Sequence, residues 1–166
     1  LDASGARAEL MRKGTDWAQT VENRRRMIKE VPWADFYVSA TVSAMNVLHV
    51  LDFHREWVDL GLIQPKDWNI NICQSPDWYR IDIFPEDFKN NVIVPAYKKH
   101  IEWLEPQDNL KRATNGFKSA LNLLTATDNS QFIDRWIEET AKLDQVRNEN
   151  FWETFPEFKE LRNDRA

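Results

Sequence analysis

Residues 35–46 read Asp-Phe-Tyr-Val-Ser-Ala-Thr-Val-Ser-Ala-Met-Asn, a stretch in which apolar and polar side chains alternate. A period of two is typical of a β-strand that has one face on a core. We therefore predict a strand here. Its apolar face carries Phe36, Val38, Ala40 and Val42, and its opposite face carries Tyr37, Ser39, Thr41 and Ser43.

A second run, residues 68–75, repeats the alternation and predicts a second strand. Between the two runs, residues 46–64 have the apolar spacing of one amphipathic helix, and Gly61 is placed to end it. A strand, a helix and a strand in this order form a βαβ unit, so we expect parallel strands with a right-handed crossover. One face of the second strand carries Trp68, Ile70 and Ile72, and the other carries Asn69, Asn71, Cys73 and Ser75.

The polar faces of the two strands are the candidate functional surface. Strands of a parallel sheet are usually apolar on both faces, and buried polar groups need partners. We expect these faces to meet a polar ligand; the alternative is that their groups bond only one another or water. None of them is a strong acid or base, so they suit ligand binding, and we assign no catalytic residue. The candidates are Ser39, Thr41, Ser43, Asn69, Asn71 and Ser75.

The remaining sequence predicts helices. Thr15 is a plausible N-cap for a helix that Pro32 ends, and Pro95 should kink or divide a helix over residues 85–105. The fold class is therefore α/β, with two to three parallel strands and several C-terminal helices. The length of the chain fits a single domain over residues 1–166. The chain divides into a β/α part (1–84) and a helical part (85–166), whose later helices cover about 108–125 and 128–148. Residues 77–84 fit a loop or a short extra strand, and we favour the loop.

An aromatic segment lies near the C-terminus, where residues 150–158 read Asn-Phe-Trp-Glu-Thr-Phe-Pro-Glu-Phe. A cluster of aromatic side chains left in water would promote aggregation. We expect this segment to fold back onto the domain or onto a partner.

Composition excludes several classes of function. The net charge is −5 and the cations form no stripe with aromatics, so we expect no nucleic-acid partner. Three consecutive arginines, at positions 24–26, are expected on a solvated helix face. We see no signal peptide and no apolar run of bilayer length, so we expect no membrane partner and a cytoplasmic location.

Histidine and cysteine suggest no metal site and no nucleophile–base pair. His49 and His54 are five residues apart, so they do not share a helix face. We expect them, and the isolated His100, at a surface or an interface. Cys73 is the single cysteine and is interpreted as a buried, inert thiol.

Several short motifs resemble the C-terminal half of radical S-adenosylmethionine enzymes of the type with a twitch domain, as found in environmental and phage genomes. Residues 1–4 with 12–14 look like the fourth strand and following loop of that family, residues 39–46 like the fifth strand, and residues 69–76 like the sixth. The most specific part is the C-terminal pattern, which consists of Leu143-Asp144, Arg147, Asn150-Phe151 and Phe155-Pro156-Glu157-Phe158.

The resemblance implies a partial (β/α)6 barrel, of which this chain would supply a half-barrel. Family members use S-adenosylmethionine and a 4Fe–4S cluster held by a Cys-x3-Cys-x2-Cys loop. One cysteine cannot hold such a cluster, so we expect both cofactors in a longer parent protein, none in this chain alone, and no activity in isolation. By position, the wall that contacts S-adenosylmethionine would be Asp2, Ser39, Thr41, Ser43, Asn46 and Asn71, with Asn69 and Ser75 toward the substrate.

Two expectations about partners follow. Because the chain begins with what looks like the end of a strand, we expect a truncated enzyme whose partner is the missing N-terminal half. The open strand edge of an isolated half-barrel also favours self-association, so a second copy is the other expected partner. The rival interpretation is a non-catalytic module that binds a peptide or a protein, and a small-molecule hydrolase ranks last.

Overall fold

A computed structural model describes residues 1–163, which form a mixed α/β fold that is mostly helical. Short 3₁₀ turns at Asp77–Tyr79, Ile81–Ile83, Ser130–Phe132 and Pro156–Phe158 join the longer elements. The strands are β1 (Val38–Val42) and β2 (Trp68–Ile72), and the helices are α1 (Gly5–Met11), α2 (Trp17–Glu30), α3 (His49–Asp59), α4 (Glu86–Phe88), α5 (Val94–Leu104), α6 (Arg112–Ala126), α7 (Ile133–Arg147), α8 (Phe151–Thr154) and α9 (Lys159–Asn163).

The two strands are parallel, as the sequence predicts, and α3 lies between them in the chain. In their register Ser39 lies beside Asn69 and Thr41 beside Asn71, so the polar side chains share a face. Within the described residues the sheet has these two strands only. The larger half-barrel therefore stays a prediction.

The apolar face of the sheet lies against the helices and forms the centre of the core. Val38, Ala40 and Val42 on β1 are buried, and Trp68 on β2 is fully buried. Helix α6 packs on β2 so closely that a Cβ atom at Gly116 would lie 3.0 Å from the Cβ of Ile70. Glycine therefore has a packing function at this position, because it lets the helix approach the strand.

The predicted break at Pro95 takes the form of a wide helical turn. A π-helical turn, Lys89–Ile93, separates α4 from α5, and Pro95 lies in the first turn of α5. Proline lacks the N–H that would bond to the carbonyl four residues earlier, and a π turn accommodates that loss within a continuous helix.

The aromatic segment near the C-terminus folds back onto the domain. Asn150 caps α8 by accepting a hydrogen bond from the Glu153 N–H. Phe151, Phe155 and Phe158 are fully buried. This outcome confirms the first of the two alternatives predicted for the segment, because its aromatic side chains complete the core of the same chain.

The first residues differ from the sequence prediction of a strand end and a loop, because α1 begins at Gly5. Gly5 has a φ of +57°, a conformation that favours glycine, at the point where the chain turns into the helix. In the described part of the chain, no helix combines the length and apolar character needed to cross a membrane.

Candidate functional site

Most of the residues predicted to form one polar surface fall into two groups, and the first is open to solvent. The Ser39 hydroxyl accepts a hydrogen bond from the Asn71 amide at 2.8 Å and a longer one from the Asn69 amide at 3.3 Å. Ser39 and Asn71 are exposed and Asn69 is half-buried. We call these three residues the amide cluster. Its neutral donors and acceptors face water with part of their hydrogen-bonding capacity unused.

The second group forms a closed network inside the protein. Asn46 is fully buried, and its amide donates to the backbone carbonyls of Asp2 at 2.7 Å and Thr41 at 3.0 Å. Its side-chain oxygen accepts the Ser43 N–H at 2.8 Å and also lies 3.3 Å from the Ser43 hydroxyl. Both donors and the acceptor of Asn46 are thus used within the chain, so this group holds the turn after β1.

Asp2 belongs to the same network and closes one edge of the sheet. One carboxylate oxygen accepts the Thr41 N–H at 2.8 Å, in the place where a neighbouring strand would otherwise bond. The other oxygen accepts from the Arg12 guanidinium at 2.6 and 2.7 Å. The buried carboxylate is therefore paired, and it fixes the N-terminal segment to β1.

Ser75 is a member of neither group. It is exposed, it follows β2 by three positions, and its carbonyl accepts a weak hydrogen bond from the Cys73 thiol at 3.5 Å. The peptide bond from Ser75 to Pro76 is cis. Cys73 itself is half-buried, so it is more accessible than the buried thiol that the sequence predicted.

The prediction that the histidines lie at a surface or an interface is wrong, because His49, His54 and His100 are all buried inside the fold of the chain itself. Nε2 of His49 accepts a hydrogen bond from the Ser4 N–H at 3.0 Å and lies 3.3 Å from the Ser4 hydroxyl. That hydroxyl donates to the carboxylate of Glu56. Burial lowers the pKa of His49 to about 4, and the positive charge of Arg7 acts in the same direction. The pair of Ser4 and His49 joins α1 to α3.

The Ser4 cluster contains a hydroxyl, an imidazole and a carboxylate, but its bonds do not form a catalytic triad. In a triad the imidazole takes the proton of the hydroxyl and the carboxylate orients the imidazole. Here the hydroxyl donates directly to Glu56, and Ser4 is only 5% exposed. The arrangement is an anchor between helices, and sequence reasoning missed it because the residues are far apart in the chain.

His54 and His100 form a second buried contact, between α3 and α5. His54 Nε2 lies 3.0 Å from the Pro65 carbonyl, which only accepts, so that nitrogen carries the proton. His54 Nδ1 then accepts from His100 Nε2 at 3.0 Å, and His100 Nδ1 accepts from Arg55 at 3.3 Å. This chain of bonds requires both rings to be neutral.

The amide cluster itself carries no group for acid–base or metal chemistry. The amide cluster holds a hydroxyl and two amides, and none of them titrates near neutral pH. Within the described residues, no set of three or more histidine, cysteine, aspartate or glutamate side chains is arranged to hold a metal ion. What the face can do is bind and orient a polar molecule.

Comparisons with protein-family models, with curated proteins and with solved structures gave no significant match to this chain.

Proposed function

We propose that this chain is the C-terminal part of a radical S-adenosylmethionine enzyme and supplies part of the wall that holds S-adenosylmethionine and substrate. In this proposal the chain contributes binding and orientation, and a preceding half contributes the 4Fe–4S cluster. The chain has no activity in isolation. The amide cluster is an exposed part of the predicted wall that has free hydrogen-bonding capacity to contact a ligand.

The observation that carries the proposal is the exposure of the amide cluster on a parallel strand pair. An exposed face made of hydroxyl and amide groups suits a molecule that has many neutral and charged polar atoms. S-adenosylmethionine carries hydroxyls, ring nitrogens, an ammonium and a carboxylate. The C-terminal sequence pattern gives a second, independent line of support.

The closed network changes which residues carry the proposed contacts. The side chains of Asp2 and Asn46 are engaged within the chain, so they shape the wall from behind. Thr41 and Ser43 lie beside them, and Ser75 lies beyond the end of β2. Ser39 and Asn71, with Asn69 toward the substrate, are the proposed direct contacts.

The single cysteine does not fit the cluster itself. A 4Fe–4S cluster takes several thiolates, and Cys73 is the only cysteine in the sequence. The proposal therefore assigns ligation of the cluster to a different segment, which lies in the preceding half.

The test has two parts. The coding sequence upstream of Leu1 is determined first, and an in-frame Cys-x3-Cys-x2-Cys motif is expected. The longer protein is then reconstituted anaerobically with iron and sulfide, and formation of 5′-deoxyadenosine from S-adenosylmethionine is measured. Ser39→Ala and Asn71→Ala should each reduce the rate about tenfold, equivalent to an increase of ~1.4 kcal/mol in the activation free energy.

Asn122→Ala is the matched control, because Asn122 is an exposed asparagine on α6. Its activity should equal that of the unchanged protein. A start codon directly before Leu1, or equal activity of all three variants, would count against the proposal. So would a stoichiometric 4Fe–4S cluster on the chain of residues 1–166 alone.

The second candidate function is a module that binds a protein or a peptide. The aromatic C-terminal segment does not supply a groove for such a partner, because Phe151, Phe155 and Phe158 are buried in the core.

A further inference from the structure

We draw no further inference here: the strongest candidate, the patch of exposed apolar side chains around the end of α2 that consists of Met27, Ile28, Trp33 and Leu60, carries none because nothing in the structure shows what covers it.

Discussion

His100 donates a hydrogen bond from Nε2 to Nδ1 of His54 across 3.0 Å, in the interior between α3 and α5. In each ring Nδ1 accepts a hydrogen bond, and protonation of that ring would turn Nδ1 into a second donor. The new N–H would then face another donor and have no acceptor. Burial lowers the pKa of His54 to about 4, and burial together with the neighbouring His54 holds the pKa of His100 lower still. Both rings are therefore neutral in the folded protein over the physiological pH range.

The buried histidines should make the protein sensitive to mild acid. Their pKa values are lower in the folded than in the unfolded chain, where they lie near 6.5, so the unfolded chain binds more protons as the pH falls. Stability is fully present above about pH 6.5 and decreases as the pH falls toward 4. Urea titrations should show a loss of roughly 2 kcal/mol per histidine at pH 5 relative to pH 8.

NMR spectra of the imidazole ring protons provide the control for this prediction. In the folded protein the shifts should stay constant from pH 8 to pH 5, and in urea they should titrate near 6.5. A free energy of unfolding that stays constant between pH 8 and pH 5 would contradict the assignment of neutral, buried rings.

Asn46 and Asn71 should respond differently to the same substitution. Asn46→Ala leaves two backbone carbonyls and the Ser43 N–H without their partner inside the protein. We therefore expect the free energy of unfolding to fall by about 2–3 kcal/mol. Asn71→Ala removes an exposed side chain and should change stability by less than ~0.5 kcal/mol. Chemical unfolding of both variants checks this. Equal losses would show that the amide cluster is structural as well.

Asp82 is a fully buried carboxylate whose replacement should be costly. Burial alone would raise its pKa, but hydrogen bonds from Arg80, Thr127 and Asn129 outweigh burial and hold the pKa at about 2. Asp82→Asn removes the charge that Arg80 pairs with at 2.7 Å, so we expect a loss of about 3 kcal/mol in thermal or urea unfolding. Asp77→Asn, at an exposed position nearby, is the control and should have almost no effect.

Gly116→Ala should destabilise the protein, although alanine is the better helix former. In an exposed helix the change would stabilise by about 1 kcal/mol. Here the new methyl group would lie 3.0 Å from the Ile70 Cβ, which is fixed by the strand backbone. We expect a net loss of about 1 kcal/mol in urea unfolding. Asn115→Ala, at the exposed neighbouring position, should give a small gain, and a gain at both positions would show that α6 moves freely on β2.

Phe155→Ala tests how firmly the aromatic C-terminal segment is part of the core. Phe155 is fully buried and stacks on Phe151 with a centroid distance of 4.7 Å, so the change should cost about 3–5 kcal/mol. Trp33→Ala removes an even larger side chain that is 80% exposed, and it should leave the melting temperature nearly unchanged. A small effect of Phe155→Ala would mean that the segment is only loosely packed.

The alternating residues of β1 and β2 were sufficient to predict the parallel pair and the face on which each side chain lies. Side chains of a strand alternate between its two faces, so a period of two in the sequence indicates which side chains face the core. The segment between the two alternating runs has the length of a crossover helix. The helix end at Pro32 and the break before Pro95 were predictable for the same reason, because proline acts on the backbone next to it.

The division of the polar residues into two groups was not predictable from the alternation. Whether Asn46 faces a ligand or bonds to Asp2 depends on where the N-terminal segment lies, and 44 positions separate the two residues. The same applies to the histidines, since His54 and His100 meet across 46 positions. Helix α1 was missed because Ser4 and Gly5 also fit a loop, and its position depends on the contact between Ser4 and His49.

The fully buried Phe158 stacks on Phe84 at a centroid distance of 5.6 Å and meets the edge of Trp136 at the same distance. These partners are synthesised well before it. During translation their packing stays incomplete until residue 158 has emerged from the ribosome, so the native core can close only then. A nascent chain that stalls earlier would present its aromatic surface to chaperones and proteases.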